Sequence, residues 1–139
     1  MTMEQQSHGR PDEAVDRSSR ERVEQFFAAS ERGDFDALAT MVDDEMVMAW
    51  PQSGEVFKGR DNVFGAMRAV EVKPEFAGPA RITGSGDVWV LMAPLRYGTE
   101  ILHYVAVLEL EAGKVRRATG YWGAPFPAQG ARASFTSRD

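Results

Sequence analysis

An α+β domain, helices first and an antiparallel sheet after them, is the fold class the sequence predicts. Apolar residues recur at helical spacing up to about residue 70, and a two-residue alternation takes over from Arg81. The runs that alternate are separated by short glycine turns, which join antiparallel neighbours, whereas a parallel pair needs a long crossover.

The first helix starts at Glu13, where Val15, Val23, Phe26, Phe27 and Ser30 share one stripe at spacings built from three and four. Gly33 stops it by taking the left-handed conformation, and Asp34 caps a second helix with Phe35, Leu38 and Val42 on one face. Met46 to Trp50 reads as a strand that ends at Pro51, since proline cannot donate to a sheet ladder. Asp61 is the expected cap of a third helix, on which Val63, Met67 and Val70 form the apolar face before Pro74. Strands are predicted at Arg81 to Thr83, Asp87 to Tyr97, Thr99 to Glu111 and Lys114 to Trp122, divided by the turn sequences GSGD, Gly98 and EAGK. The domain thus spans residues 13–128, between a polar, disordered arm over 1–12 that holds a solvated His8 and a polar tail over 129–139.

Composition narrows the function classes. A chain of 139 residues, 43% apolar and 27% charged, has the size and balance of one domain with one core. Its net charge of -5 and the absence of a long Lys/Arg run argue against a nucleic-acid surface. With no cysteine, disulfides, thiol nucleophiles and Cys-based metal sites are excluded. Two histidines, one of them in the arm, make a His-based metal centre an unfavourable reading, so no metal and no cofactor are expected. No segment approaches the ~20 apolar residues of a membrane span and the first twelve residues hold no apolar run, so a cytoplasmic protein without membrane contact is expected.

Both long strands are apolar on both faces. Trp89, Leu91, Ala93 and Leu95 alternate with Val88, Val90 and Met92, and Leu102, Tyr104, Ala106 and Leu108 alternate with Ile101, Val105 and Val107. Three helices can cover one face only, so the outer face is expected to pack on a second copy, giving a homodimer.

The stretch WPQSGEVFKGRD, residues 50–61, has two glycines at the spacing of a phosphate-binding loop, but Arg60 stands where that loop has lysine and Asp61 where it has a hydroxyl. An aspartate there repels phosphate, and Val56 and Phe57 look like a short strand. Together with GDFDAL (residues 33–38), FKGRDNV (57–63) and YWGAPFPA (121–128), the order of elements resembles the SnoaL-like branch of the nuclear transport factor 2-like superfamily, over roughly residues 23–128. That superfamily includes ketosteroid isomerase, polyketide cyclases and limonene epoxide hydrolase.

The resemblance implies a cone: a strongly bent antiparallel sheet wrapped around three N-terminal helices, a cystatin-like α+β barrel with a deep cavity at one end and dimerisation through the sheet's outer face. Cavity-lining positions would be Phe26, Met48, Trp50, Met67, Trp89, Leu91, Tyr97, Leu102, Ala118 and Trp122, with the three indoles converging on one hollow. Such a wall suits a hydrophobic small molecule, polyketide- or terpenoid-like.

The resemblance also shows what is missing. The isomerase's carboxylate base falls on Trp50, its tyrosine on Phe26 and its protonated acid near Ala106, and none of these carries the needed group. The hydrolase's Asp-Arg-Asp relay finds only Arg96 and Glu100 nearby, and no acid in the last strand. Tyr104, on the inward face, is a candidate hydrogen-bond donor to a ligand carbonyl, or a buried tyrosine bonded to a core carbonyl. His103 alternates outward and reads as an interface residue, unless a one-residue bulge turns it inward as a proton donor. Two functions follow: cyclisation or isomerisation of an apolar substrate by shape with Tyr104 and His103 as catalytic groups, or a non-catalytic binding or assembly domain.

Overall fold

The structure is a computed structural model that describes the backbone of residues 4–137 and the side chains from residue 13. The side chain of His8 and residues 1–3 of the expected arm therefore lie outside the described residues. Helix α1 spans Glu4–Arg32 and so begins ahead of Glu13; residues 4–12 carry no apolar periodicity that could mark its start in the sequence. Its buried face starts at Val23 and continues through Phe26 and Phe27, whereas Val15 is 57% exposed. Thus the predicted stripe holds for the second half of the helix only.

Gly33, at φ +69°, ends α1 and turns the chain into α2 (Phe35–Met41). The Asp34 carboxylate accepts from the Ala37 backbone N–H at 3.1 Å, and this bond, with Arg32 beside it, lowers the carboxyl's pKa. Leu38, fully buried, anchors α2 to the core.

Strand β1 (Val42–Trp50) follows without a loop, with a register irregularity between Val42 and Val47 that hid its first half from a simple alternation. Residues between the two glycines of the apparent phosphate loop form β2 (Glu55–Lys58), antiparallel to β1, so that loop does not exist. Helix α3 (Arg60–Arg68) begins on Gly59, whose φ of +88° sets the turn. Asp61 is a correction: it sits in the first turn, exposed, and no side chain caps this helix. The helix also stops at Arg68, leaving Val70 on the loop that leads to Pro74.

The remaining strands are β3 (Glu75–Phe76), β4 (Arg81–Ser85), β5 (Val88–Tyr97), β6 (Glu100–Glu111) and β7 (Lys114–Gly123). Among the described residues they form one curled, unclosed sheet in the order β2-β1-β7-β6-β5-β3, with β4 also paired on β5. Neighbours from β3 to β7 are antiparallel, as expected; the join that closes the wall, β1 on β7, is parallel. Nothing local announces that pairing, because its partners lie some seventy residues apart (Met48 opposite Ala118). Side chains of the inner face (Met46 and Met48; Trp89, Leu91 and Ala93; Ala106 and Leu108) pack on Val23, Phe26 and Phe27 of α1 and Val63 and Phe64 of α3. The outer face carries Val88, Ile101 and Tyr121, each exposed by more than a third.

Beyond β7 the chain runs over residues 124–129 into a 3-10 turn, Gly130–Phe135, in place of a featureless tail. Residues 138–139 of that tail lie outside the described residues.

Candidate functional site

Bending a sheet around helices that cover only part of its concave face leaves a hollow where the cover ends. Here that hollow is a cavity of about 300 Å3 between α1, α3 and the β1, β5, β6 and β7 strands. Met46, Val63 and Leu108 form its buried floor. Phe26, Met48, Trp50, Met67, Leu95, Tyr97, Tyr104, Ala118 and Trp122 line the rest of it.

The aromatic wall is locked by geometry. The Trp122 ring meets Trp50 edge-on at 5.5 Å between centroids and lies tilted against Tyr104 at 5.1 Å. Trp50 in turn meets Phe57 of β2 at 4.7 Å. Gly120 makes this possible: a Cβ there would lie 3.1 Å from the Trp122 ring and 3.5 Å from Tyr104. Three hydrogen bonds then fix Trp122. Its indole N–H donates to the Tyr97 hydroxyl at 2.8 Å, and the Gln52 side-chain amide binds its main chain twice, donating to the carbonyl at 2.6 Å and accepting from the N–H at 2.5 Å. Gln52 thus acts as a one-residue stand-in for a neighbouring strand.

Two phenols face this cavity. Desolvation raises the Tyr97 pKa, although the bond from Trp122 pulls it back in part. For Tyr104 burial raises it well above the ordinary 10.0, and the nearby Tyr97 phenol adds to the rise. Both groups are therefore protonated at neutral pH, which leaves each with a proton to donate and neither able to act as a base. Among the described residues the Tyr104 hydroxyl has no hydrogen-bond partner, and Tyr97, already accepting from Trp122, still has its own proton to give.

A pH prediction follows from the sign of these shifts. Above about pH 10 an unfolded chain loses phenolic protons that the folded chain retains, so stability is complete below that pH and falls as pH rises through it. Urea unfolding between pH 8 and 11.5 is expected to lose up to about 1.4 kcal/mol per pH unit for one such group, and Tyr104→Phe to flatten the slope. An unchanged slope in the variant would place the ionising group elsewhere.

Of the positions expected to line the cavity, Phe26, Met48, Trp50, Met67, Tyr97, Tyr104, Ala118 and Trp122 are brought together. Trp89 and Leu91 are corrections. Both point inward, but they lie in the closed part of the core, and Trp89 leans over Gly84 on β4 with its indole N–H donating to the Gly86 carbonyl at 2.9 Å. Two indoles meet at the cavity, not three. Leu102, half-buried, is also off the wall, whereas its cross-strand partner Leu95 borders the cavity. His103 is exposed on the outer face between Pro94 and Gly123; the β6 irregularity falls at Glu109/Leu110, too far along to turn it inward. Arg96 and Glu100 are exposed near the β5–β6 turn.

The mouth as a whole has no marker in the sequence pattern. It is formed by Glu31, Gly33 and Phe35 at the α1–α2 corner, by Arg68 at the end of α3, by Val70, Lys73 and Pro74 on the loop after it, and by Phe76 of β3. Phe64 and Arg68 follow one another at the i, i+4 spacing beside the Val63 stripe, which is the one signal that could have placed them. The Arg68 guanidinium lies 4.2 Å above the Phe35 ring. Ser30, on the predicted α1 stripe, also borders the cavity, and its buried hydroxyl has no partner among the described residues.

Sequence and fold comparisons agree with this architecture. The sequence profile of the SnoaL-like domain matches residues 23–118. An NTF-2 like protein of unknown function from Burkholderia xenovorans LB400 is 33% identical, with a TM-score of 0.78 over 88% of this chain and 96% of that one. A candidate ketosteroid isomerase from Kribbella flavida DSM 17836 superposes with a TM-score of 0.82 at 19% identity, over 89% and 91% of the two chains. An LEH-like epoxide hydrolase from M. tuberculosis gives 0.61 at 18% identity, over 78% and 84%. None of the curated proteins compared matches the chain. With the profile covering most of the domain and the helix-filled, curled sheet beneath it, the chain belongs to the SnoaL-like family.

Proposed function

We propose that this chain binds an apolar, ring-bearing small molecule in the cavity and promotes its cyclisation or isomerisation by positioning, with Tyr104 and Tyr97 donating hydrogen bonds to a carbonyl oxygen. The observation that carries this reading is the pairing of a locked aromatic wall with two tyrosines that line the same cavity and are kept protonated by burial. Holding a flexible substrate in a reactive fold can remove much of an intramolecular barrier, and a phenol near the developing oxyanion lowers more of it. His103 has no part in this chemistry, since it faces away. The relatives named as isomerase and epoxide hydrolase support small-molecule chemistry on this fold, not a particular substrate.

One observation favours the second reading, a non-catalytic carrier. The only carboxylate bordering the cavity among the described residues is Glu31, at the rim and already accepting from the Phe76 backbone N–H at 3.4 Å, so no base reaches the interior. The two readings share the cavity and part on Tyr104. Native mass spectrometry of freshly purified protein is expected to reveal a co-purifying hydrophobic compound whose binding quenches the Trp50 and Trp122 fluorescence. If the compound is turned over, Tyr104→Phe is expected to cut kcat about 10- to 100-fold with KM little changed; a compound that is bound but returned unaltered supports the carrier. A protein with no bound or bindable apolar compound sinks both.

The exposed Val88, Ile101 and Tyr121 support the further proposal that two copies pack through the outer sheet face, with His103 at that interface.

A further inference from the structure

The cavity's interior is apolar, but its mouth is not neutral. Arg68 and Lys73 both border the opening, and among the described residues neither is engaged in an ion pair. Their single acidic neighbour on the cavity wall, Glu31, is turned to the β3 main chain. Two unpaired cations thus stand at one end of a hydrophobic hollow in a protein whose net charge is -5. Arg68 is also held in place: the Phe35 ring supports one face of its guanidinium at 4.2 Å, which leaves the N–H edge free to donate. Lys73 approaches the α1–α2 corner, where Gly33 leaves it room; a Cβ on Gly33 would lie 2.5 Å from the ammonium nitrogen. The opening is built to keep both cations.

The geometry points to a ligand with an acidic end: an apolar ring system seated among Trp50, Tyr104 and Trp122, carrying a carboxylate, or an anion of like size, at Arg68 and Lys73. This rests on the reading of the cavity as a binding site and adds the orientation of the guest. The anion fixes the molecule with its rings inward, so the group that reaches Tyr104 lies at the end remote from the acid. It also selects: in an otherwise acidic protein, a local pair of cations draws an anion to this one opening.

A matched pair of fluorescent probes tests it. 1-Anilinonaphthalene-8-sulfonate and N-phenyl-1-naphthylamine share one ring scaffold and differ by the anion. The wild-type protein is expected to bind the sulfonate about tenfold more tightly at low salt, and the preference to shrink as salt rises. In Arg68→Gln/Lys73→Gln the ratio of the two affinities is expected to fall to about one. Lys73→Glu, which leaves Arg68 on Phe35, is expected to reduce that ratio several-fold by itself. Equal affinities in the wild type, or a preference that survives these substitutions, overturn the acidic end and leave the cavity reading standing. Failure of both probes to bind overturns the two together.

Discussion

Replacing Gly84 by alanine is expected to destabilise the protein by about 2–4 kcal/mol, one of the largest losses available from adding a single methyl group. Gly84 lies on β4 directly opposite Trp89 of β5, and the indole covers it. A Cβ at this position would come within 2.4 Å of the Val88 carbonyl oxygen and 2.8–2.9 Å of the Cα and ring of Trp89. Backbone cannot swing aside as a flexible side chain can. Relief therefore requires β4 to part from β5, or Trp89, 2% exposed, to leave the core. The residue's φ of +158° adds a conformation that L side chains rarely adopt. In urea the midpoint is expected to fall by about 1–2 M, whereas Gly130→Ala, where a Cβ meets open space, is expected to stay within about 0.5 kcal/mol of wild type. Equal midpoints for the two variants would mean that Trp89 does not lie across β4.

Ala118→Phe is expected to abolish ligand binding, by about 100-fold or more in Kd, at a modest cost in stability of about 1–3 kcal/mol. Ala118 sits on β7 between Met48 of β1 and Leu108 of β6, and its small side chain borders the cavity. A phenyl ring there fills space that a ring of the ligand would otherwise occupy. Because the position is half-buried and borders a void, the ring has somewhere to go, which keeps the cost below that of overpacking a closed core. Quenching of Trp50 and Trp122 by the co-purified compound, or by N-phenyl-1-naphthylamine, checks it. Retained affinity in a folded variant would place the binding site outside this cavity.

How much of this was legible beforehand depends on the scale of the determinant. Gly33 and Asp34 announce a helix end and a helix cap within two residues, and both do what their chemistry dictates. Alternation along β5 and β6 gives the correct inward face throughout, so Tyr104 and Ala106 point in and His103 points out. Position along that face is a different matter. Trp89 and Leu91 obey the same alternation as Leu95, yet only Leu95 borders the cavity, because the helices cover one end of the sheet and not the other. That boundary depends on where α3 stops, and α3 stops at Arg68, short of Pro74. The mouth residues, Arg68 at that end and Lys73 and Phe76 beyond it, are brought together by the three-dimensional course of the chain. Likewise GSGD reads as a turn, but its first glycine belongs to β4, where its role is set by an indole across the ladder. Asp61 has the residue type of a cap without the position of one, since Gly59 had already made the turn.

The last long strand of the chain is not at the edge of the sheet but within it, between the first strand and the one before it. Translation therefore delivers the keystone late. Until Lys114 to Gly123 have emerged, β1 and β6 both present bare hydrogen-bonding edges, and the hollow they will share has no back wall. A ribosome stalled before that point holds a nascent chain with two sticky borders, so any helper that shields this protein during synthesis has its work at those borders and finishes once Gly123 has emerged.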